Sequence, residues 1–161
     1  MSAYDGPPVR NAVPDQTLLI RSRDRFYEGS AAGSTALVVE DDYRSGFALT
    51  AVLQRGRMTV VTADSGATAL EILHRRVDID IVLMDIVMPI MNGYETMSAI
   101  RLRPRSAHVP IIAITGAIGG ERERCIAAGA SDYIPKPIDT AALLTAVTHW
   151  LLGATAHLLE S

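Results

Sequence analysis

The chain has 161 residues, 48% hydrophobic and 20% charged, which suits one domain with a packed core and modest extensions. With 15 Lys and Arg against 18 Asp and Glu the net charge is −3, so no general basic surface favours direct contact with nucleic acid. One cysteine, Cys125, excludes an internal disulfide, and no signal peptide or bilayer-spanning apolar run is visible, so a soluble, cytoplasmic protein without membrane contact is expected.

Residues 1–33 read as an N-terminal extension. Gly6, Pro7, Pro8 and Pro14 interrupt regular structure, and residues 29–34 have the composition of a flexible linker. Thr17-Leu18-Leu19-Ile20 and Phe26-Tyr27 flank charged residues. This segment is either a short docking helix or, as the neighbouring breakers favour, a largely flexible extension.

From residue 34 to 153 the pattern alternates strand and helix. Residues 36–41 form an apolar run ending in acids, and Asp42 is placed to cap a helix reaching about Gln54, with Gly56 beyond it. Residues 58–63 are rich in strand formers, and 67–75 carry helical spacing at Ala69, Leu70, Ile72 and Leu73. A third strand is expected over 79–84, then a loop holding Pro89 and Asn92-Gly93, then a helix over 94–103. The fourth strand falls at 109–114, a helix at 121–128 stops at Gly129, and a short strand covers 132–134. The last helix is expected over 140–152, with Gly153 as its stop and 154–161 as a tail. Such alternation implies right-handed crossovers and an α/β fold: a doubly wound five-stranded parallel sheet with five helices.

Four of these strands end in reactive groups. Glu40 and Asp41 follow the first apolar run, Asp85 the third, Thr115 the fourth and Lys136 the fifth. In an open parallel sheet ligands lie beyond the carboxyl ends of the strands, where the strand order switches. Carboxylates, a hydroxyl and an amine meeting there suit a divalent cation and a phosphoryl group. Each residue alone has a plainer role. Asp41 or Asp42 can cap the following helix, Thr115 can close a strand, and Lys136 can be a solvated surface lysine.

Taken together the motifs are more specific. Val39-Glu40-Asp41, Met84-Asp85 through Met88-Pro89 and Gly93, Thr115-Gly116 and Lys136-Pro137 occur in order. Asp85 follows Asp41 by 44 residues, Thr115 follows Asp85 by 30, and Lys136 follows Thr115 by 21. On these motifs, residues 36–152 resemble the receiver domain of two-component response regulators. The resemblance implies a flavodoxin-like sheet of order 2-1-3-4-5. It also implies that Asp85 is the phosphoacceptor, charged by a histidine kinase or a histidine phosphotransfer protein. Mg2+ is the implied cofactor, held by Glu40 (through water), Asp41, Asp85 and the backbone carbonyl of Val87. Lys136 and Thr115 would each meet a phosphoryl oxygen, and Tyr133 would turn inward as Thr115 moves. Pro89 and Gly93 would shape the loop after Asp85, and a cis Lys136–Pro137 bond would aim the amine inward.

The implied output is a shift between conformers, read by a downstream protein target on the fourth helix, fifth strand and fifth helix. Arg122, Arg124, His149 and Trp150 are candidates for that surface, with core packing open for Trp150 and a plain half-buried edge for Tyr133. A homodimer is compatible with this output. Val87 and Ala117, two residues beyond Asp85 and Thr115, offer no polar group to orient water, so slow self-dephosphorylation is expected. Only residues 154–161 follow Gly153. A stand-alone regulator, a relay intermediate and a receiver of a hybrid histidine kinase all stay open, and the local wording is similar to the last.

Three rivals are weaker. A phosphatase of the haloacid dehalogenase type wants an acid where Val87 stands and late metal ligands. A nucleotide-binding fold wants a glycine-rich turn after the first strand. A binding module that works without phosphorylation keeps this fold, and Mg2+-dependent phosphorylation separates it from a receiver. Beyond its own phosphorylation and slow dephosphorylation, no enzymatic activity is expected.

Overall fold

The computed structural model describes residues 31–116 and 121–160. The readings for residues 1–30 and for Ala117 lie outside the described residues. Five strands, β1 (Thr35–Val39), β2 (Thr59–Ala63), β3 (Ile81–Asp85), β4 (Ile111–Thr115) and β5 (Asp132–Pro135), form one parallel sheet of order β2-β1-β3-β4-β5. Five helices alternate with them: α1 (Tyr43–Arg55), α2 (Gly66–Arg75), α3 (Gly93–Arg101), α4 (Glu121–Ala128) and α5 (Thr140–Glu160). The expected α/β architecture and its strand order are present.

β1, β3 and β4 are buried along their whole length, which is why their sequences are continuous apolar runs. Alternate residues face opposite helical layers. Leu37, Val39, Val82, Met84, Ile111 and Ala113 pack with Leu70, Leu73, Met97, Ile100 and the free thiol of Cys125. Ala36, Val38, Ile81, Leu83, Ile112 and Ile114 pack with Leu49, Leu53, Leu143 and Val147 from α1 and α5. Truncating a side chain such as Leu83, fully buried between strand and helix, costs about 2–5 kcal/mol, so these layers fix the strand ends.

Local chemistry sets the helix starts. Asp42 caps α1, its carboxylate accepting from the Ser45 amide at 3.0 Å, as its position after the strand suggested. Ser65 caps α2 through the Thr68 amide, and Asn92 with Glu95 forms a reciprocal capping box on α3.

Three expectations need correction. Residues 31–34 are not a free linker: Ala31 joins the α1–α5 layer, Ser34 is fully buried, and the Gly33 amide donates to the Arg57 carbonyl. Small side chains that read as linker composition here permit close packing. Gly153 does not stop the last helix, which runs to Glu160. A glycine stops a helix when it takes a left-handed conformation; within a run of helix formers it costs about 1 kcal/mol and is carried. Asn92 and Gly93 form the start of α3 rather than a separate turn.

Candidate functional site

Strand register brings the reactive groups to one edge. Val39 pairs with Met84, so Glu40 and Asp41 emerge beside Asp85. Asp85 pairs with Ile114, placing Thr115 one step further, and Thr115 pairs with Pro135, just before Lys136. The crevice lies where the chain turns back from β2 to place β3 on the other side of β1, the switch in strand order.

One carboxylate oxygen from each of Glu40, Asp41 and Asp85 lies within 4.8 Å of the other two. Glu40 and Asp85 are buried, and Asp41 is exposed. The Lys136 ammonium donates to Asp85 Oδ1 at 3.2 Å and stands 3.8 Å from Glu40 Oε2. Glu40 Oε1 accepts from the Asp42 amide at 3.0 Å, while Glu40 Oε2 is buried with no hydrogen-bond partner. Burial therefore pushes the Glu40 carboxyl up to about 7; the Asp42 amide opposes this, and the neighbouring Asp85 carboxylate adds to it. For Lys136, burial acts to lower the ammonium pKa, but the Asp85 carboxylate beside it prevails and holds it above the ordinary lysine value. One ammonium among three acids leaves negative charge without compensation, a donor set suited to a hard divalent cation.

The loop after Asp85 is tightly constructed. The Ile86 amide donates to the Ile114 carbonyl and the Gly93 amide to the Ile86 carbonyl. A Cβ on residue 93 would stand 2.4 Å from the Asp85 carbonyl oxygen, so glycine is required there by close approach. Between them the Met91 amide donates to the Pro89 carbonyl at 2.8 Å, making a three-residue turn centred on Ile90. Ile90 is fully exposed with φ +67°, a rare conformation for a β-branched side chain. Sequence reasoning missed this strain, because nothing in Pro89-Ile90 announces it. Val87 is exposed on the same loop.

The other expected residues fall as follows. Thr115 is buried at the end of β4 and lines a cavity of about 280 Å³ with Val87 and Tyr94. Tyr133 is half-buried and packs against the α2–α4 layer. The Lys136–Pro137 bond is cis. Arg122, Arg124 and His149 are exposed, and the Arg124 guanidinium lies over the Tyr94 ring at 4.3 Å. Trp150 is half-buried against the α1–α5 layer and donates to Asp132 at 2.8 Å, which favours its packing role. The hydrogen bond from Tyr94 to Glu121 was not anticipated, since residues 27 apart meet only through the fold.

Known proteins share this arrangement. A receiver domain of the sensor histidine kinase PA1611 from Pseudomonas aeruginosa, with magnesium coordinated in its active-site cleft, superposes with a TM-score of 0.69 at 34% identity, covering 74% of this chain and 98% of that one. A probable cyclic di-GMP phosphodiesterase of Vibrio cholerae is 44% identical over 92 residues, which is 56% of this chain and 21% of that protein. The two-component response regulator ORR8 of Oryza sativa subsp. indica is 33% identical over 103 residues, 63% of this chain and 85% of the relative. The chain spans 12% of the Escherichia coli histidine kinase BarA and 24% of the Caulobacter vibrioides regulator PleD, which it also resembles. Residues 36–148 match the response regulator receiver domain, and with the sheet order and the acidic crevice this places the chain in that family.

Proposed function

We propose that Asp85 is the phosphoacceptor of this receiver, charged from a phosphohistidine on a kinase or phosphotransfer protein. The observation that carries the reading is the buried Asp85 carboxylate, held by Lys136 at 3.2 Å among two further acids at the switch in strand order. An Asp85 oxygen attacks phosphorus in line, the P–N bond breaks as the P–O bond forms, and the departing imidazole keeps its electron pair and takes up a proton. The transition state is loose, so positioning and charge compensation matter more than nucleophile strength.

Glu40 Oε2, buried without a hydrogen bond, and the three converging carboxylates fit Mg2+, with Glu40, Asp41, Asp85 and the Val87 carbonyl as its holders. When bound, the ion supplies positive charge to the transferring phosphoryl oxygens. Lys136 supplies a point charge to one of those oxygens and Thr115 a hydroxyl donor to another. Pro89, Gly93 and Pro137 shape the loops that carry these groups, and Tyr133 responds to Thr115. Phosphorylation biases two conformers, and a downstream protein reads the α4–β5–α5 face. A cytoplasmic setting suits a free, buried thiol. The exposed apolar side chain of Val87 offers an attacking water no hydrogen bond, so the phosphorylated form is long-lived.

Intact mass after incubation with acetyl phosphate tests the reading. One phosphoryl group is expected, only with Mg2+ and not on Asp85→Asn. A gain that survives in Asp85→Asn would mean another acceptor. No gain from acetyl phosphate or from a phosphorylated histidine phosphotransfer protein would favour a binding module independent of phosphorylation.

A further inference from the structure

A second polar cluster lines a cavity between the loop after Asp85 and the end of β4. Tyr94 directly follows Gly93, whose backbone is pressed against that of Asp85 and Ile86, so the start of α3 is fixed to the acceptor strand. The Tyr94 hydroxyl donates to the Glu121 carboxylate at the first residue of α4, and the Arg124 guanidinium covers the same ring. Burial and the Glu121 carboxylate hold the Tyr94 hydroxyl far above its ordinary value, so it remains a donor throughout the physiological range. Tyr94, Glu121, Arg124 and Thr115 line the one cavity of about 280 Å³.

This geometry links the start of α3 to the start of α4, beside the paired ends of β3 and β4. Thr115 is buried at the end of β4, and the cavity it shares with Tyr94 and Glu121 is the open space beside it. A bond spanning the cavity from α3 to α4 opposes its collapse. We infer that Tyr94 and Glu121 are positioning residues that act through Thr115, their hydrogen bond propping the cavity open and holding the hydroxyl back until Asp85 is phosphorylated. The inference rests on the proposed roles of Asp85 and Thr115.

The test is the rate of Mg2+-dependent phosphorylation by acetyl phosphate in the full chain, for Tyr94→Phe and Glu121→Gln, each alone and combined with Thr115→Ala. Loss of a bond to a charged acceptor predicts faster phosphorylation by about five-fold or more in Tyr94→Phe, and a smaller gain of the same sign in Glu121→Gln. The gain should vanish when Thr115 is already Ala, which a merely structural role would not produce. Unchanged or slower rates in Tyr94→Phe, or an equal gain with and without the Thr115 hydroxyl, would overturn the inference while leaving Asp85 as acceptor. Failure of the wild type to be phosphorylated, or phosphorylation persisting in Asp85→Asn, would instead break the underlying reading and this inference with it.

Discussion

The two ends of the sheet use similar side chains to opposite effect. At the amino end, buried polar groups find partners within the protein. Asp80 accepts from the Thr35 amide at 2.8 Å, and the Ser131 hydroxyl accepts from the Ile111 amide at 3.0 Å. The half-buried Arg101 donates to the carbonyls of Gly129, Ala107 and Val109 at 2.8, 3.0 and 2.6 Å, stitching α3 to the turns around β4 and β5. At the carboxyl end three acids share one ammonium, and a buried Glu40 oxygen has no hydrogen bond. The satisfied end holds the fold, and the unsatisfied end is held ready for a ligand. Stability is given up where function needs charge to remain unpaired.

Breaking the satisfied end should give the largest effect on stability. Arg101→Ala strands several carbonyls and should cost about 2–4 kcal/mol, read by urea denaturation, while Mg2+-dependent phosphorylation persists in the folded fraction. A loss below about 0.5 kcal/mol, the range of ordinary surface substitutions, would show that the arginine is only a surface group.

Relieving the unsatisfied end should act in the other direction. The Glu40 carboxyl sits at about 7 in the folded protein against 4.5 ordinarily, so the folded state retains a proton that the unfolded chain has released. Metal-free stability therefore falls as pH rises through that window, by up to about 3 kcal/mol. Glu40→Gln should flatten this dependence and make the metal-free protein more stable at pH 8, yet remove most of the stabilisation by Mg2+. Denaturation curves at pH 5 and pH 8, with and without Mg2+, check both signs. An unchanged pH profile in Glu40→Gln would place the proton elsewhere.

The smallest effect concerns Ile90. Its side chain is exposed and its φ is +67°, so Ile90→Asn should stabilise by about 1 kcal/mol with no loss of packing. If denaturation shows a loss instead, the turn is not strained.

Much of the crevice was legible in the sequence because strand ends are marked by the sequence itself. A continuous apolar run stops where the chain leaves the sheet, so Glu40, Asp85, Thr115 and Lys136 announced their shared edge before any contact was known. Asp42 was legible for a similar local reason, as the cap lies next to the helix it serves. Tyr94 with Glu121, the Arg101 network and the strain at Ile90 were not legible. Each depends on distant segments meeting, or on a dihedral angle that composition does not encode. Ala31 and Gly153 misled because a small residue marks a linker or a helix end only when nothing overrides it: packing does so at Ala31, and the surrounding run of helix formers does so at Gly153.

The most direct test locates the phosphoryl group. Protein phosphorylated with acetyl phosphate and Mg2+ would be reduced with borohydride, which converts an aspartyl phosphate to homoserine, and its peptides mapped by mass spectrometry. Asp85 as the Mg2+-dependent acceptor predicts homoserine at position 85 alone and none when Mg2+ is omitted. Homoserine at position 41 or 42, or modification independent of Mg2+, would contradict it.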